Sequence, residues 1–335
     1  MRTLLSFQNG WSYALLLSIA IGCKQSDSSD VTPDSPPCQV QTMTSATVEN
    51  GKTSVVSSST FNYDAKGQLT SVVTNSPGSI STKTTKTYTY DDNGYQTAYK
   101  FVSTGILGNA TTSEDYSYEN GRLSKTSFEI VGQSIGSTNN QTIGSTAYTY
   151  DAAGTLAQAA TSSTNKAGLI GFPSSTITKS STHSYTNGVL TSIKELINGK
   201  ETTKYTVENG GVTLETSSNG SKQRYTYNAD GHQTKWEEVN AGNAVTSTKI
   251  TEYGSTPAPK SVYPIQKGFP IIPPSYGKEE RMVSRSTTVY SANSVTDFLY
   301  KYQLNSKGYP ANSVITNNAT SATTTTTYTY ANCPN

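Results

Sequence analysis

The sequence predicts an all-β protein, a large antiparallel meander of hairpins curled into a barrel or a strongly coiled sheet that does not span a membrane. Three observations carry the fold class. A tyrosine-centred unit recurs along almost the whole chain, glycine turns follow it at short intervals, and no stretch beyond the N-terminal segment combines helical periodicity with caps.

The unit is Tyr-x-Tyr, then an acid or amide, then glycine. It runs from Phe61 through Tyr63 and Asp64 to Gly67, and from Tyr88 through Tyr90 and Asp91 to Gly94. Further copies are Tyr116 to Gly121, Tyr148 to Gly154, His183 to Gly188, Tyr205 to Gly210 and Tyr225 to Gly231. Tyr300-Lys301-Tyr302 precedes Gly308, and Tyr328-Thr329-Tyr330 comes near the C-terminus. At two strands per unit the count is roughly sixteen to eighteen.

The stretch from Val189 to Tyr253 shows the hairpins best. Asn198-Gly199 and Asn219-Gly220 read as two-residue turns, because both central residues need positive φ. Longer turns fall at Glu208 to Gly210, Asn228 to Gly231 and Asn240 to Asn243. The strands between run about eight residues, roughly 26 Å at about 3.3 Å per residue. Asp64, Asp91 and Asp151 each stand three residues before a turn glycine, where a carboxylate accepts turn N–H groups. They form a row of turn acids and not a catalytic pair.

The Tyr-x-Tyr pairs put two rings on one face of each strand. Ladders of such rings stabilise a sheet by roughly 0.2–1 kcal/mol per cross-strand pair. The same rings stack on sugars when exposed. Charged residues are 14% of the chain and hydrophobic residues 33%, with 23 Tyr among the latter, so the rings must supply most of the core.

The net charge is +2, or +1 without Arg2, and no basic patch stands out; nucleic-acid binding is excluded on that ground. His183 and His232 are the only histidines, and zinc needs more His and Cys at close spacing. No metal, cofactor or catalytic residue is assigned. His232 occupies the slot after the turn glycine, which elsewhere holds Gln68, Tyr95, Arg122, Thr155, Val189, Gly211 and Tyr309. Such tolerance predicts a solvated strand start.

Residues 1–22 read as a signal peptide, with Arg2 before the short apolar run Ala14 to Ile21. Gly22-Cys23 resembles a bacterial lipoprotein signal, although Ala20 stands where Leu is usual. The resemblance implies lipidation at Cys23, which would anchor the protein to a membrane. Residues 23–37 form a Ser-, Asp- and Pro-rich tether similar to those of Bacteroidetes outer-membrane lipoproteins. Residues 38–335 then make one domain, expected to be monomeric and to lie at the periplasmic or cell-surface face of the outer membrane. Cys38 and Cys333 are the cysteines left once Cys23 is lipidated, and a disulfide between them is expected in that oxidising compartment.

The unit Tyr-x-Tyr-Asp-x-x-Gly-x-Leu, best matched from Phe61 to Leu69 and from Tyr148 to Leu156, is similar to the YD repeat of the RHS family. The C-terminal part, with Gly308-Tyr309-Pro310 and Tyr328 to Cys333, resembles a group of Bacteroidetes lipoproteins of unknown function with a porin-like β fold. A true porin is rejected. Lys235 and Glu237 fall on one strand face, and His232 and Glu238 on the other, so no uninterrupted apolar face exists.

The expected function is non-enzymatic, a binding or scaffold module for a glycan or a protein. The alternatives are a hydrolase with acids on a loop rim, or a fragment related to RHS toxin shells. The candidate binding loop is the Pro-rich segment from Pro257 to Tyr276, with Tyr263, Phe269 and Tyr276. Its six prolines bar it from a central ladder. Strand alternation places it at the end of the sheet that carries the Tyr-Asp-x-x-Gly turns, either as a lid on the barrel or as an outward binding surface.

Overall fold

The structure, a computed structural model, describes residues 38–77, 81–105, 108–134, 140–166, 175–209, 211–257, 267–270, 281–290, 294–331 and 333. Cys23, Tyr263 and Tyr276 lie outside the described residues. Among those described there is no helix, and twenty strands follow one another. They are β1 (Gln39–Glu49), β2 (Lys52–Tyr63), β3 (Leu69–Ser76), β4 (Thr82–Tyr90), β5 (Gln96–Gly105), β6 (Gly108–Glu119) and β7 (Arg122–Ser134). Then come β8 (Asn140–Tyr150), β9 (Leu156–Lys166), β10 (Ser175–Thr186), β11 (Val189–Ile197), β12 (Lys200–Glu208), β13 (Gly211–Ser217) and β14 (Lys222–Tyr227). The last are β15 (Gln233–Val239), β16 (Val245–Pro257), β17 (Arg281–Tyr290), β18 (Val295–Leu304), β19 (Pro310–Asn317) and β20 (Thr323–Ala331).

Each strand pairs antiparallel with the next, and β20 pairs with β1, so the meander closes into a barrel. The count exceeds the expected range for a specific reason. A tenth unit, Thr251-Glu252-Tyr253, carries the long 258–280 connection where the others carry a glycine turn, and it escapes a search for Tyr-x-Tyr. The seam between β20 and β1 takes the place of the remaining turn.

The motif turns form as expected. Gln68 N–H donates to Asp64 Oδ1 at 2.8 Å, and Gly67 N–H to Asp64 O at 3.0 Å. Asp91, Asp151, Asn228 and Asn305 repeat this arrangement. Asn198-Gly199 is the two-residue turn predicted, with φ of 50° and 76°. Asn219-Gly220 is not. Its turn spans four residues closed by Ser217 N–H on Ser221 O at 2.9 Å, and Asn219 caps it by accepting from Ser221 N–H.

Beside most motif turns the register shifts by one, as between Asn62 and Tyr63 or Thr89 and Tyr90. Such bulges turn Leu69, Leu123, Leu156, Leu190 and Val212 inward as a buried layer below the rim. The second tyrosine of a unit donates its hydroxyl to the backbone of this layer in the preceding unit. Tyr90 reaches Leu69 O at 3.0 Å, Tyr118 reaches Gln96 O at 2.7 Å, Tyr150 reaches Leu123 O at 2.7 Å and Tyr185 reaches Leu156 O at 2.8 Å. Tyr227, Tyr253 and Tyr330 do likewise. In the sixth unit Val207 replaces the tyrosine and the hydroxyl is missing.

The slot after the turn glycine is not uniformly solvated, which corrects the sequence reading. Arg122 and Val189 are exposed, but Gly211, His232 and Tyr309 are buried. His232 packs on Tyr253 with ring centroids 4.9 Å apart and the planes tilted by 37°. Elsewhere the slot side chain lies across the next unit's glycine; a Cβ on Gly94 would stand 3.2 Å from Gln68 Nε2, and one on Gly121 3.0 Å from Tyr95 Oη. The slot tolerates many residues because it leans sideways along the rim, not because it faces water.

The core is a lining and not a central mass. One patch gathers Val40, Phe61, Leu69 and Val72 at the seam, and another Leu190, Ile193, Tyr205, Val207, Val212 and Tyr225. Among the described residues only neighbouring strands approach one another closely, so opposite walls of the barrel do not meet. The outer face carries Lys100, Asp115, Lys125, Glu129, Lys194, Lys204 and Arg224, together with the Lys235–Glu237 pair at 2.6 Å. These charges interrupt any apolar band, as the sequence predicts.

Candidate functional site: the lumen and the strap across its rim

The connection between β16 and β17 behaves as a strap. Its described tip, Lys267 to Pro270, touches β5 to β7 and their turns. Leu123 N–H donates to Gly268 O at 2.8 Å, and Lys267 Nζ donates to Asn93 O at 3.1 Å while lying 4.4 Å from the Tyr95 ring centroid. Phe269 meets Tyr116 edge-on at 5.1 Å and Tyr118 at 6.3 Å.

β6 and β16 are ten strands apart in a ring of twenty, so the tip has crossed the full width of the barrel. Strands about 4.8 Å apart and tilted about 40° make a ring roughly 40 Å across. From Pro257 to Gly268 is eleven residues (268 − 257), enough to reach about 40 Å when extended. The strap's described tip docks on the motif-end rim, with Phe269 against Tyr116 and Tyr118. The rings it meets point inward, which identifies the Tyr-x-Tyr face as the luminal one.

Below the strap the wall is aromatic. Tyr88 and Tyr99 have centroids 5.4 Å apart, and Tyr95 and Tyr118 4.9 Å. Tyr116 donates to Glu114 Oε2 at 2.5 Å. Burial pushes the Glu114 carboxyl up against the pull of that hydrogen bond. Burial and the Glu114 charge push the Tyr116 hydroxyl well above its ordinary value.

A second wall section runs from β11 to β15. Tyr225 donates its one hydroxyl proton between Gln223 Oε1 at 2.7 Å and Glu215 Oε2 at 3.2 Å, and Trp236 Nε1 donates to Gln223 Oε1 at 2.9 Å. Tyr205 hydrogen bonds Glu195. Further from the motif end the inner face turns to hydroxyls. Ser45–Thr326, Thr47–Thr324, Ser59–Thr74 and Thr146–Thr161 pair across strands at 2.8 Å each. The described inner face is thus aromatic toward the motif end and hydroxylated toward the other.

The predicted site residues fare differently. Cys38 and Cys333 form the disulfide, with Cα atoms 4.6 Å apart. It lies at the motif end of the β20–β1 seam and bridges it covalently where other strand pairs have a turn. The turn acids spread around the rim and do not converge. Among the described residues no group of three His, Cys, Asp or Glu could hold a metal. The luminal glutamates Glu114, Glu195 and Glu215 escape sequence reasoning. Glu114 has a local signal, two residues before Tyr116 on one strand face; Glu195 and Glu215 meet their tyrosines across strands and need the register.

No family model matches the chain, and no curated protein matches it. Among solved structures it is similar to a porin-like protein from Bacteroides vulgatus, at 10% identity over 88% of this chain and 99% of that one, with a TM-score of 0.34. A porin-like protein from Bacteroides uniformis matches at 15% identity over 89% and 99%, also with a TM-score of 0.34. The Photorhabdus luminescens Tc holotoxin pore matches at 12% identity, with 86% of this chain against 19% of that one and a TM-score of 0.27. At these scores the likeness carries no argument about function.

Proposed function

We propose that the protein is a non-enzymatic, monomeric lipoprotein of the outer membrane that binds a glycan inside its barrel. The observation that carries the glycan half is the inner wall: tilted tyrosine pairs, Trp236 and hydrogen-bonding glutamate and glutamine side chains face a lumen whose described walls do not meet. Sugar rings stack on such faces while carboxylates and amides take their hydroxyls. Entry is from the hydroxylated end, since the described strap tip, Lys267 to Pro270, docks on the rim of the other. The envelope half rests on Gly22-Cys23 and the polar tether that follows. The turn acids Asp64, Asp91 and Asp151 are engaged by their own turns.

One variant tests both halves. Full-length Cys23→Ala should leave the membrane fraction, and the released protein should bind oligosaccharides on a glycan array. Membrane retention equal to wild type would place the anchor elsewhere. An array with no binding, from protein with a normal melting transition, would remove the glycan reading and leave protein partners to pull-down experiments.

A further inference from the structure

The bond that closes the barrel has two chemically different ends. Cys38 and Cys333 are both half-buried, so neither is sealed within the wall. Asn305, in the turn between β18 and β19, donates its Nδ2 to Cys333 Sγ at 3.5 Å. Among the described residues Cys38 Sγ receives no such donor. We propose that this disulfide is a thiol-exchange site with a set direction: an external thiolate attacks Cys38 Sγ, and Cys333 departs as a thiolate held by the Asn305 amide. This is independent of what the lumen binds.

The turn fixes the orientation of that amide. Asn305 Oδ1 accepts from Lys307 N–H and from Tyr309 N–H at 3.0 Å each, so the oxygen must face the turn and Nδ2 is left to face the seam. The turn itself does not require an amide. Asp64, Asp91 and Asp151 cap the same kind of turn with a carboxylate, which accepts the same N–H groups and has no proton to give. The unit next to the seam carries the amide and spends its donor on sulfur.

Exchange is a displacement at sulfur. The incoming thiolate forms a bond to Cys38 Sγ, the Cys38–Cys333 bond breaks, and its electron pair leaves on Cys333 Sγ. The external sulfur is thereby oxidised into a mixed disulfide on Cys38, and Cys333 is reduced. The thiol with the lower pKa leaves faster, and a hydrogen bond to the thiolate lowers its pKa. A hydrogen bond to a charged group favours it by roughly tenfold to a hundredfold, and about half of that free energy is felt in the transition state, which gives about threefold to tenfold between the two directions. The reverse step closes the ring: the Cys333 thiolate attacks Cys38 Sγ of the mixed disulfide and expels the external thiolate. Cys38 precedes Cys333 by 295 residues, so it is the half of the pair that waits in a mixed disulfide until β20 has docked on β1. Asn305 is a positioning residue for both steps.

The test uses full-length Cys23→Ala protein, in which Cys38 and Cys333 are the only cysteines. The folded protein is exposed briefly to reduced glutathione, quenched with an alkylating agent and mapped by peptide mass spectrometry. Glutathione on Cys38 with the alkyl group on Cys333 should outnumber the reverse at least about threefold. Asn305→Asp keeps the turn cap, removes the donor and sets a negative charge beside the leaving sulfur. The preference should then fall to even or reverse, with a melting temperature near wild type in oxidising buffer. Asn228→Asp, the same change in a turn away from the bond, should leave it unchanged. Glutathione spread evenly over the two cysteines of the parent protein, or found mainly on Cys333, overturns the proposal whether or not the variants fold. A preference that survives Asn305→Asp also overturns it, because access alone would then set the direction. So does a preference that Asn228→Asp removes equally, or a bond that glutathione opens only after the protein is unfolded.

Discussion

Replacing Cys38 and Cys333 with serine is expected to lower the melting temperature more than any other single change to this protein. The bond joins residues 295 apart, so it removes nearly the whole chain's loop-closure entropy from the unfolded state. The chain-entropy relation gives about 5.7 kcal/mol for that separation, an upper limit because denatured chains keep residual structure. With an unfolding entropy of about 0.6 kcal/mol/K for a domain of this size, the limit corresponds to about 9 °C. The folded state suffers too. The β1–β20 pairing runs from Gln39↔Ala331 to Val48↔Thr323 and closes the barrel without a connecting turn. Without the bond this seam frays first, so hydrogen exchange should rise in β1 and β20 before other strands. Calorimetry in reducing and oxidising buffer checks the idea. A melting temperature unaffected by the double substitution, or two thiols that alkylate without reductant, would sink it.

The next largest effect is expected at the strap. Gly268 has φ +79°, and a Cβ there would stand 2.8 Å from Gly121 O and 2.9 Å from Tyr95 Cε1. Gly268→Val therefore meets both backbone strain, about 1–3 kcal/mol, and a wall of rim atoms that cannot retreat. Phe269→Ser removes the edge-on contact with Tyr116, and half-burial of that ring sets the loss at about 1–2 kcal/mol. Each should lower the melting temperature by about 2–5 °C. Each should also raise proteolytic nicking between 258 and 280. An outward binding loop predicts the reverse, unchanged stability with a lost partner. Stability equal to wild type in both variants would show that the strap does not hold the rim.

Much of this architecture was legible in the sequence because it is local. Tyr-x-Tyr with a following Asp and Gly encodes a strand, a capped turn and the next strand within nine residues, as Phe61 to Leu69 shows. Repetition then makes a meander, and its alternation puts the Pro-rich connection at the motif end before any coordinates exist. The pairing of Cys38 with Cys333 was legible by elimination. The tenth unit was hidden because Thr251 replaces the first tyrosine and a long connection replaces the turn.

Register and closure were not legible, and the candidate site depends on both. A bulge such as that between Thr226 and Tyr227 moves a residue to the other face, so His232 ends buried where spacing alone predicts solvent. Glu195 and Glu215 read as ordinary strand glutamates. They become luminal neighbours of Tyr205 and Tyr225 only through pairings across separate hairpins. The strap's docking on Tyr116, 153 residues from Phe269 (269 − 116), likewise needs the ring to close so that β6 stands opposite β16. The sequence by itself determined the repeating hairpin, the turn chemistry and the end at which the long connection emerges, because hydrogen bonds within a few residues of one another decide these, and it gave the disulfide because two cysteines remain after Cys23. The tertiary structure alone decided which face became the lumen, which carboxylates share it and what the strap touches. Those depend on the accumulated register of twenty strands, in which a shift of one residue exchanges the two faces.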